Sequence, residues 1–231
     1  MEYILFVSLH QRFKNITNYK MKKLVIVMLV LSAGFISCKG EKKEKIEVKD
    51  EVKVETKAIV NNVDIASSVL TWKGSKPTGS HNGTVALKEG SLEVKEGSLV
   101  GGTFVVDMGT IKNLDIKKEE GAAKLVGHLA SDHFFDVAKY PTSKFVITSV
   151  AKNEGKLAVT GNLTIKDVTK SITIPASISE ANGVTIFKSE VFNIDRADFN
   201  VKYGSKKFFD NLKNKFINDL VEMSFEVKTK A

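Results

Sequence analysis

Between Leu157 and Ile178 the chain alternates with a period of two. Leu157, Val159, Gly161, Leu163 and Ile165 fall on one face, and Ala158, Thr160, Asn162 and Thr164 on the other. Asp167 to Lys170 turns the chain, and Ile172, Ile174, Ala176 and Ile178 repeat the pattern. Only an extended strand places residues i and i+2 on one side. This stretch therefore commits the fold to half-buried β-strands joined by short turns. The same reading extends to Val69–Lys73 with Trp72, Thr84–Leu87, Ser91–Lys95, Leu99–Asp107, Lys144–Val150 and the closing run Val221, Met223, Phe225, Val227. Val184 to Ile194 reads as one long strand, apolar on both faces over part of its length. Gly74 to Gly83 is rich in turn residues, and Glu89-Gly90, Glu96-Gly97 and Asn182-Gly183 read as hairpin turns. Gly101-Gly102 inside a strand points to a bulge or a close backbone approach.

One stretch breaks the pattern. Gly127 to Phe145 reads GHLASDHFFDVAKYPTSKF. Leu125, His128, Leu129 and Asp132 recur at helical spacing, so its first half is expected to be a helical turn or short helix. Phe134-Phe135 is too apolar for a free loop, and Tyr140-Pro141 forces an extended backbone before the next strand. Ile111–Gly121 is expected to be a polar loop, and Ala197–Asn214 irregular, with Phe208-Phe209 in a helical turn. The expectation is an all-β domain of about eight to ten antiparallel strands with one short helical insertion near residues 122–136. A sandwich and a closed barrel both fit. An eight-stranded barrel has just enough interior for side chains or one small ligand.

The N-terminal region reads as an address. Lys22-Lys23 precedes LVIVMLVLSAGFI, a basic start followed by an apolar run too short to span a bilayer comfortably, which needs ~20 residues. Residues 1–37 are expected to be a signal peptide, with Met21 as the translation start because residues 1–20 would make an unusually long n-region. Ser37-Cys38 after the apolar run resembles a bacterial lipobox, with Phe35 where Leu is usual, and Cys38 is the only cysteine in the chain. That resemblance implies cleavage before Cys38 and acylation of its sulfur. The alternative is an uncleaved anchor with a buried cysteine. Lys39–Lys57 mixes seven lysines with six acidic residues and no aromatic, so residues 38–57 are expected to be a charged flexible tether and 58–231 the folded domain. The formal charge of +8 divides evenly between residues 1–37 and the rest. No basic stripe interleaved with aromatics appears, so no nucleic-acid partner is expected.

Six segments together resemble the YceI family of bacterial lipid- or polyisoprenoid-binding proteins with a lipocalin-like barrel. They are Trp72-Lys73-Gly74 with Lys76; His81-Asn82-Gly83-Thr84; Gly101–Asp107; His128–Val137 with Lys139-Tyr140-Pro141 and Phe145; Gly161–Lys170; and Asp195–Phe199. Asp167 and Asn200 stand where glycine is common in the family. The resemblance implies an extended barrel around an elongated apolar pocket holding a prenyl chain or a quinone, with no catalysis and no cofactor beyond that lipid. The inward candidates are Phe104, Val106, Phe134, Phe145, Leu163, Ile174, Phe192 and Phe225, with His81 at the headgroup. Each choice depends on register, because a slip of one residue inverts it. The implied setting is the cell envelope, as a periplasmic or cell-surface lipoprotein held to the membrane through Cys38. A homodimer is compatible with this reading.

Other chemistry is legible but weaker. His128, Asp132 and Asp136 could share a helix face with His133 adjacent, yet no pair of histidines stands at i, i+4 as a helical zinc site prefers. A metal-dependent or acid–base enzyme would draw on His81, His128 and Asp132. The plainer expectation is that Asp132 hydrogen-bonds the turn after the helix and His128 packs at the barrel mouth. His81 either meets a ligand headgroup or holds its Gly-rich turn. Arg196, between Asp195 and Asp198, is expected to be a structural ion pair or backbone clamp rather than a phosphate ligand. A barrel filled by its own side chains and serving as an interaction module is the third reading.

Overall fold

The computed structural model describes residues 44–55, 58–117, 120–153 and 155–231. The signal peptide, Met21 and Cys38 lie outside the described residues. Eleven regular elements follow in order: β1 (Val48–Lys49), β2 (Val63–Lys76), β3 (Gly79–Lys95), β4 (Ser98–Asn113), α1 (Ala122–Ala130), β5 (Thr142–Asn153), β6 (Lys156–Ile165), β7 (Val168–Ala181), β8 (Val184–Ser189), β9 (Phe192–Asp195) and β10 (Leu220–Thr229).

The ring closes. Strands β2 to β8 pair in sequence order, β8 pairs β10, and β10 returns to β2, all antiparallel. β9 lies beyond this ring and pairs the first half of β10, Leu220–Met223. Closure pairs the ring's strands on both sides, which removes the long open edges that would otherwise template aggregation. It also settles the choice between sandwich and barrel.

Several strand boundaries differ from expectation, for one reason: the strands are long and bend by bulges instead of stopping. Glu89-Gly90 is no turn. β3 runs through it, with its register shifting between Leu87 and Glu89 against β4. Ile111–Asn113 still belongs to β4, and the turn between β2 and β3 shrinks to Pro77-Thr78. The Gly101-Gly102 pair serves both expected purposes. Val100 is the extra residue of a bulge, and a Cβ on Gly102 would sit 2.8 Å from the Ser91 carbonyl oxygen. Val184–Ile194 is not one strand but two, β8 and β9, which meet β10 at different places.

The seam between β7 and β9 is sealed by an unexpected element. β8 covers β7 only from Ala176 to Ala181. Below that, the segment starting at Glu44 fills the gap. Val48 and Lys49 pair with Ile172 and Ser171 of β7. The Ile46 amide donates to the Asn193 carbonyl at 3.0 Å, and Asn193 Nδ2 donates to the Glu44 carbonyl at 3.0 Å. Asn162 on β6 then clasps the chain, accepting from Val52 N at 3.0 Å and donating to its carbonyl at 2.6 Å. Ile46 and Val48 pack on the core. Residues 44–52 therefore lie on the barrel as a strap, in contrast to the solvated tether expected there. The reason is alternation again: Ile46, Val48, Val52 and Val54 are spaced by two or four residues within the charge run.

The core divides the lumen. Val63, Leu92 and Leu99 are buried in one half and fill it. In the other half the walls stand apart. Two glycines allow large rings to lie flat against the wall: a Cβ on Gly83 would fall 1.8 Å from the Lys112 carbonyl oxygen and 2.6 Å from the Trp72 ring, and one on Gly161 2.4 Å from the Phe145 ring.

Gly83→Ala should therefore lower stability by about 3 kcal/mol, the upper end of overpacking costs, because a backbone atom must move to admit the methyl. Gly74→Ala, with nothing within 4 Å of the new Cβ, should stay within about 0.5 kcal/mol of wild type in urea unfolding. Asn162→Ala leaves both polar groups of Val52 without their partner and should cost about 1–3 kcal/mol. It should also speed amide exchange at Val48 and Val52 more than in β6 itself; equal protection would show that the clasp does not hold the strap.

Candidate functional site

The open half of the lumen is a cavity of about 420 Å³. That lies within the roughly 300–1,000 Å³ of small-molecule sites. Every wall strand contributes to it, and most of the apolar lining comes from alternate residues. Phe104, Val106 and Met108 line it from β4 while Val105 between them does not; Ile172 and Ile174 line it from β7, and Val221, Met223, Phe225 and Val227 from β10. This is the period-two pattern carried into three dimensions. The mouth is framed by the β2–β3 hairpin through Gly74, Ser75, Lys76, Gly79 and His81, by α1 through Leu125, His128 and Leu129, and by Ile217-Asn218.

All nine residues expected at a ligand pocket line this cavity: Phe104, Val106, Phe134, Phe145, Leu163, Ile174, Phe192, Phe225 and His81. Three of their rings, Phe104, Phe225 and Phe192, are linked through Phe187 and each other. Phe104 and Phe187 stack with centroids 6.0 Å apart, and Phe187 lies 4.8 Å from Phe225. Sequence reasoning missed Phe187, 1% exposed, and Phe199, 0% exposed. Phe187 sat in a run apolar on both faces, which offers no inside. Trp72 was recognised as a strand residue but not as lining. The signal available was its place opposite Gly83 across the β2–β3 pair.

The polar groups at the mouth are mostly engaged in structure. His81 Nδ1 lies 2.9 Å from Asp115 Oδ2, and the same carboxylate accepts from Asn82 N and Asn113 Nδ2. Burial pushes the Asp115 carboxyl up, but these donors outweigh it and hold it below the usual range. His81 thus braces its turn while one face of it reaches the cavity. Arg196 is a backbone clamp. Its guanidinium donates to the carbonyls of Asn218, Val201 and Ile217 and lies 3.2 Å from Asp219 Oδ1, with Cζ 5.2 Å from the Phe134 ring centre. Its ion partner is Asp219, not the flanking Asp195 or Asp198.

His81 and His128 both line the mouth, but Asp132 is not among the lining residues, so the three do not form one cluster. The ring neighbours of His128 are Tyr203 at 4.8 Å, Phe134 at 5.7 Å and His133 at 6.1 Å. Burial, and then the charge of His133, push the His128 pKa down, which favours the neutral ring. The Asp132 side chain is 80% exposed, with His133 at 4.0 Å. Contrary to expectation, Asp132 does not tie down the turn after the helix. Ser131 does, through Oγ to the His128 carbonyl at 2.8 Å. Among the described residues no group of three His, Cys, Asp or Glu side chains is placed to hold a metal ion.

Beside the mouth lies one buried carboxylate, Asp195. It accepts from Ala197 N at 3.0 Å, capping the 3-10 turn Arg196–Phe199, and from the ammonium groups of Lys45 and Lys207. Burial raises its pKa, yet Lys207, the Ala197 amide and Lys45 together leave it lowered.

These features define a lipocalin-like barrel: eight antiparallel strands around an apolar lumen open at one end. A YceI-like domain matches residues 61–229, and the chain belongs to that family. A UPF0312 protein of Shewanella denitrificans is 54% identical over 50 residues, which is 21% of this chain and 26% of that protein. Protein YceI of Salmonella arizonae is 47% identical over 51 residues, 22% of this chain and 27% of that one. The chain thus spans about a quarter of the length of the curated relatives it matches. Among solved structures, Burkholderia cenocepacia BcnA superposes with a TM-score of 0.59 at 22% identity, over 73% of this chain and 99% of that one. A polyisoprenoid binding domain from Saccharophagus degradans gives 0.55 at 17% identity, over 75% and 99%. At these identities the likeness is one of fold.

The lowered Asp195 pKa sets a pH dependence. A carboxylate depressed on folding stabilises above its unfolded value of about 3.9 and loses that contribution as pH falls through its folded value. Asp195→Asn should therefore be less stable than wild type at pH 7, and the gap in urea midpoint should close as pH drops below about 4. A gap that persists at pH 2 would mean that the carboxylate's charge is not what stabilises.

Proposed function

We propose that the protein binds an isoprenoid-type lipid, a polyprenyl chain or a quinone, in the barrel cavity, and that it does so without catalysis. The observation that carries this reading is the cavity itself: about 420 Å³, walled by Phe, Ile, Val, Leu and Met from every strand of the ring's open half. Such a lumen offers little to a polar ligand and much to an oily one. At about 25 cal/mol per Å², each 100 Å² of prenyl surface shielded from water contributes about 2.5 kcal/mol. The Saccharophagus degradans domain of the same fold is described as polyisoprenoid binding, which favours this ligand class over other apolar molecules of similar size. His81, braced by Asp115, is the polar group best placed to meet a headgroup.

The setting follows from the N-terminal sequence. Cleavage before Cys38 and acylation of its sulfur would hold the barrel at the cell envelope, as a periplasmic or cell-surface lipoprotein. An insoluble ligand and a membrane-tethered carrier suit each other.

Mass spectrometry of the protein purified from its native membrane tests both parts. Under native conditions the barrel should retain one prenyl lipid or quinone, and under denaturing conditions the chain should begin at an acylated Cys38. Leu163→Glu, which places a charge in the lumen, should lose the ligand while keeping its β-sheet circular dichroism. The one tryptophan, Trp72, lines the cavity, so its emission should shift when delipidated protein is titrated with a polyprenyl ligand. A consistently empty barrel with a silent Trp72 would remove the lipid reading.

A further inference from the structure

We propose that the loop Lys202–Lys215 is a membrane-docking surface that seats the cavity mouth on an anionic bilayer. The inference goes beyond lipid binding and does not depend on which lipid the lumen takes. Three aromatic side chains of this loop are partly exposed: Phe208 is 45% exposed and Phe209 47%, and beside them Tyr203, 43% exposed, packs one side on His128 and His133. Isolated exposed apolar residues are ordinary, but three within seven positions make a patch. Around it stand Lys202, Lys206, Lys207, Lys213 and Lys215, against the single acid Asp210. Aromatic tips ringed by lysines suit the headgroup region of a bilayer, where rings enter and ammonium groups stay with lipid phosphates.

The loop is built to present these rings. Ser205 is fully buried; its Oγ donates to Asp219 at 2.9 Å and accepts from Lys207 N at 3.1 Å. The amides of Phe208 and Phe209 both donate to the Ser205 carbonyl, at 3.2 and 3.0 Å, and Ile217 N closes the base on the Gly204 carbonyl at 2.9 Å. The polar anchor faces inward and the two phenyl rings face water. A loop with no partner would gain by the reverse arrangement.

Two further observations place the patch. Val201 and Ile217, at the two ends of the loop, line the cavity, so the patch adjoins the mouth. Lys207 of the loop and Lys45 of the strap both bind Asp195 Oδ2. The strap therefore begins beside the patch, and the seven Cα-to-Cα steps from Cys38 to Lys45 can span at most about 25 Å. An acyl anchor at Cys38 would hold this end of the barrel close to the bilayer. The occupant to which charge and position point is thus an anionic membrane rather than a protein.

Hydrogen exchange on the full chain reads this directly. Vesicles of phosphatidylcholine with phosphatidylglycerol should slow exchange in peptides covering 202–216, while the far hairpin tips at Glu96-Gly97 and Asn182-Gly183 stay unchanged. Vesicles of phosphatidylcholine alone should give no such slowing. Lys213→Gln with Lys215→Gln, two lysines with no ion pair among the described residues, should reduce the added protection by about five-fold per lysine. Phe208→Ser with Phe209→Ser should abolish it, with unchanged Trp72 emission reporting an intact barrel. Equal protection by neutral vesicles, protection elsewhere on the barrel, or none at all would overturn the proposal. So would loop protection by a protein fraction but not by vesicles. The readout is the loop's own amides, so an empty cavity in mass spectrometry would leave this test standing.

Discussion

The structure depends on the sharing of one strand. β10 pairs with β2 along one edge and with both β8 and β9 along the other. Without it the seven strands from β2 to β8 would form an open curled sheet with two long edges, and open edges invite pairing with other chains. The closure is uneven, because β8 and β9 divide the partner edge between them and leave β7 half covered. The strap from Glu44 to Lys49 completes that wall. The barrel is thus sealed by residues next to the proposed lipid anchor, and the seam and the anchor belong to one short piece of chain.

Closure at eight strands also decides what the lumen can be. Such a ring is wide enough for a filled core or for one ligand. Here it is filled at one end, by Val63, Leu92 and Leu99, and hollow at the other. The hollow end is not a neutral feature. Left unoccupied, this apolar wall faces either a void or water, and both are costly. Water entering so apolar a space would find few partners. An oily occupant removes most of this cost, which is the physical reason for preferring a carrier over a barrel filled by itself.

Much of this was legible in the sequence, and the legible part was the part that period two controls. Phe104, Val106, Leu163, Ile174 and Phe225 lie on strands with clean alternation, and each faces the lumen. Where alternation fails, inference failed with it. Phe187 lies in a run apolar on both sides, and its inward face was chosen by the pairing of β8 with both β7 and β10. The bulge at Lys88 and the continuation of β3 through Glu89-Gly90 were hidden because a dipeptide suited to a turn can equally sit in a bend. The strap was hidden for another reason. Its charge says solvated, and Ile46 and Val48 within it matter only because a gap in the barrel wall exists to receive them. That gap is a property of the assembled ring, and no local pattern reports it.

Asp195 ties these parts together. Its carboxylate holds Lys45 from the strap, Lys207 from the aromatic loop and the amide of Ala197 at the head of the 3-10 turn. The next residue, Arg196, clamps the carbonyls of Val201, Ile217 and Asn218, which are the base of that loop. Two adjacent charges of opposite sign therefore fasten three segments at the rim of the cavity. Each is buried, and each is satisfied by several partners, the condition under which a buried charge is tolerated at all. Removing either takes one partner from each group it holds, so strap, loop and mouth are expected to loosen together rather than one by one. A rim fastened in this way fixes the shape of the mouth independently of the hydrogen-bonded wall strands behind it.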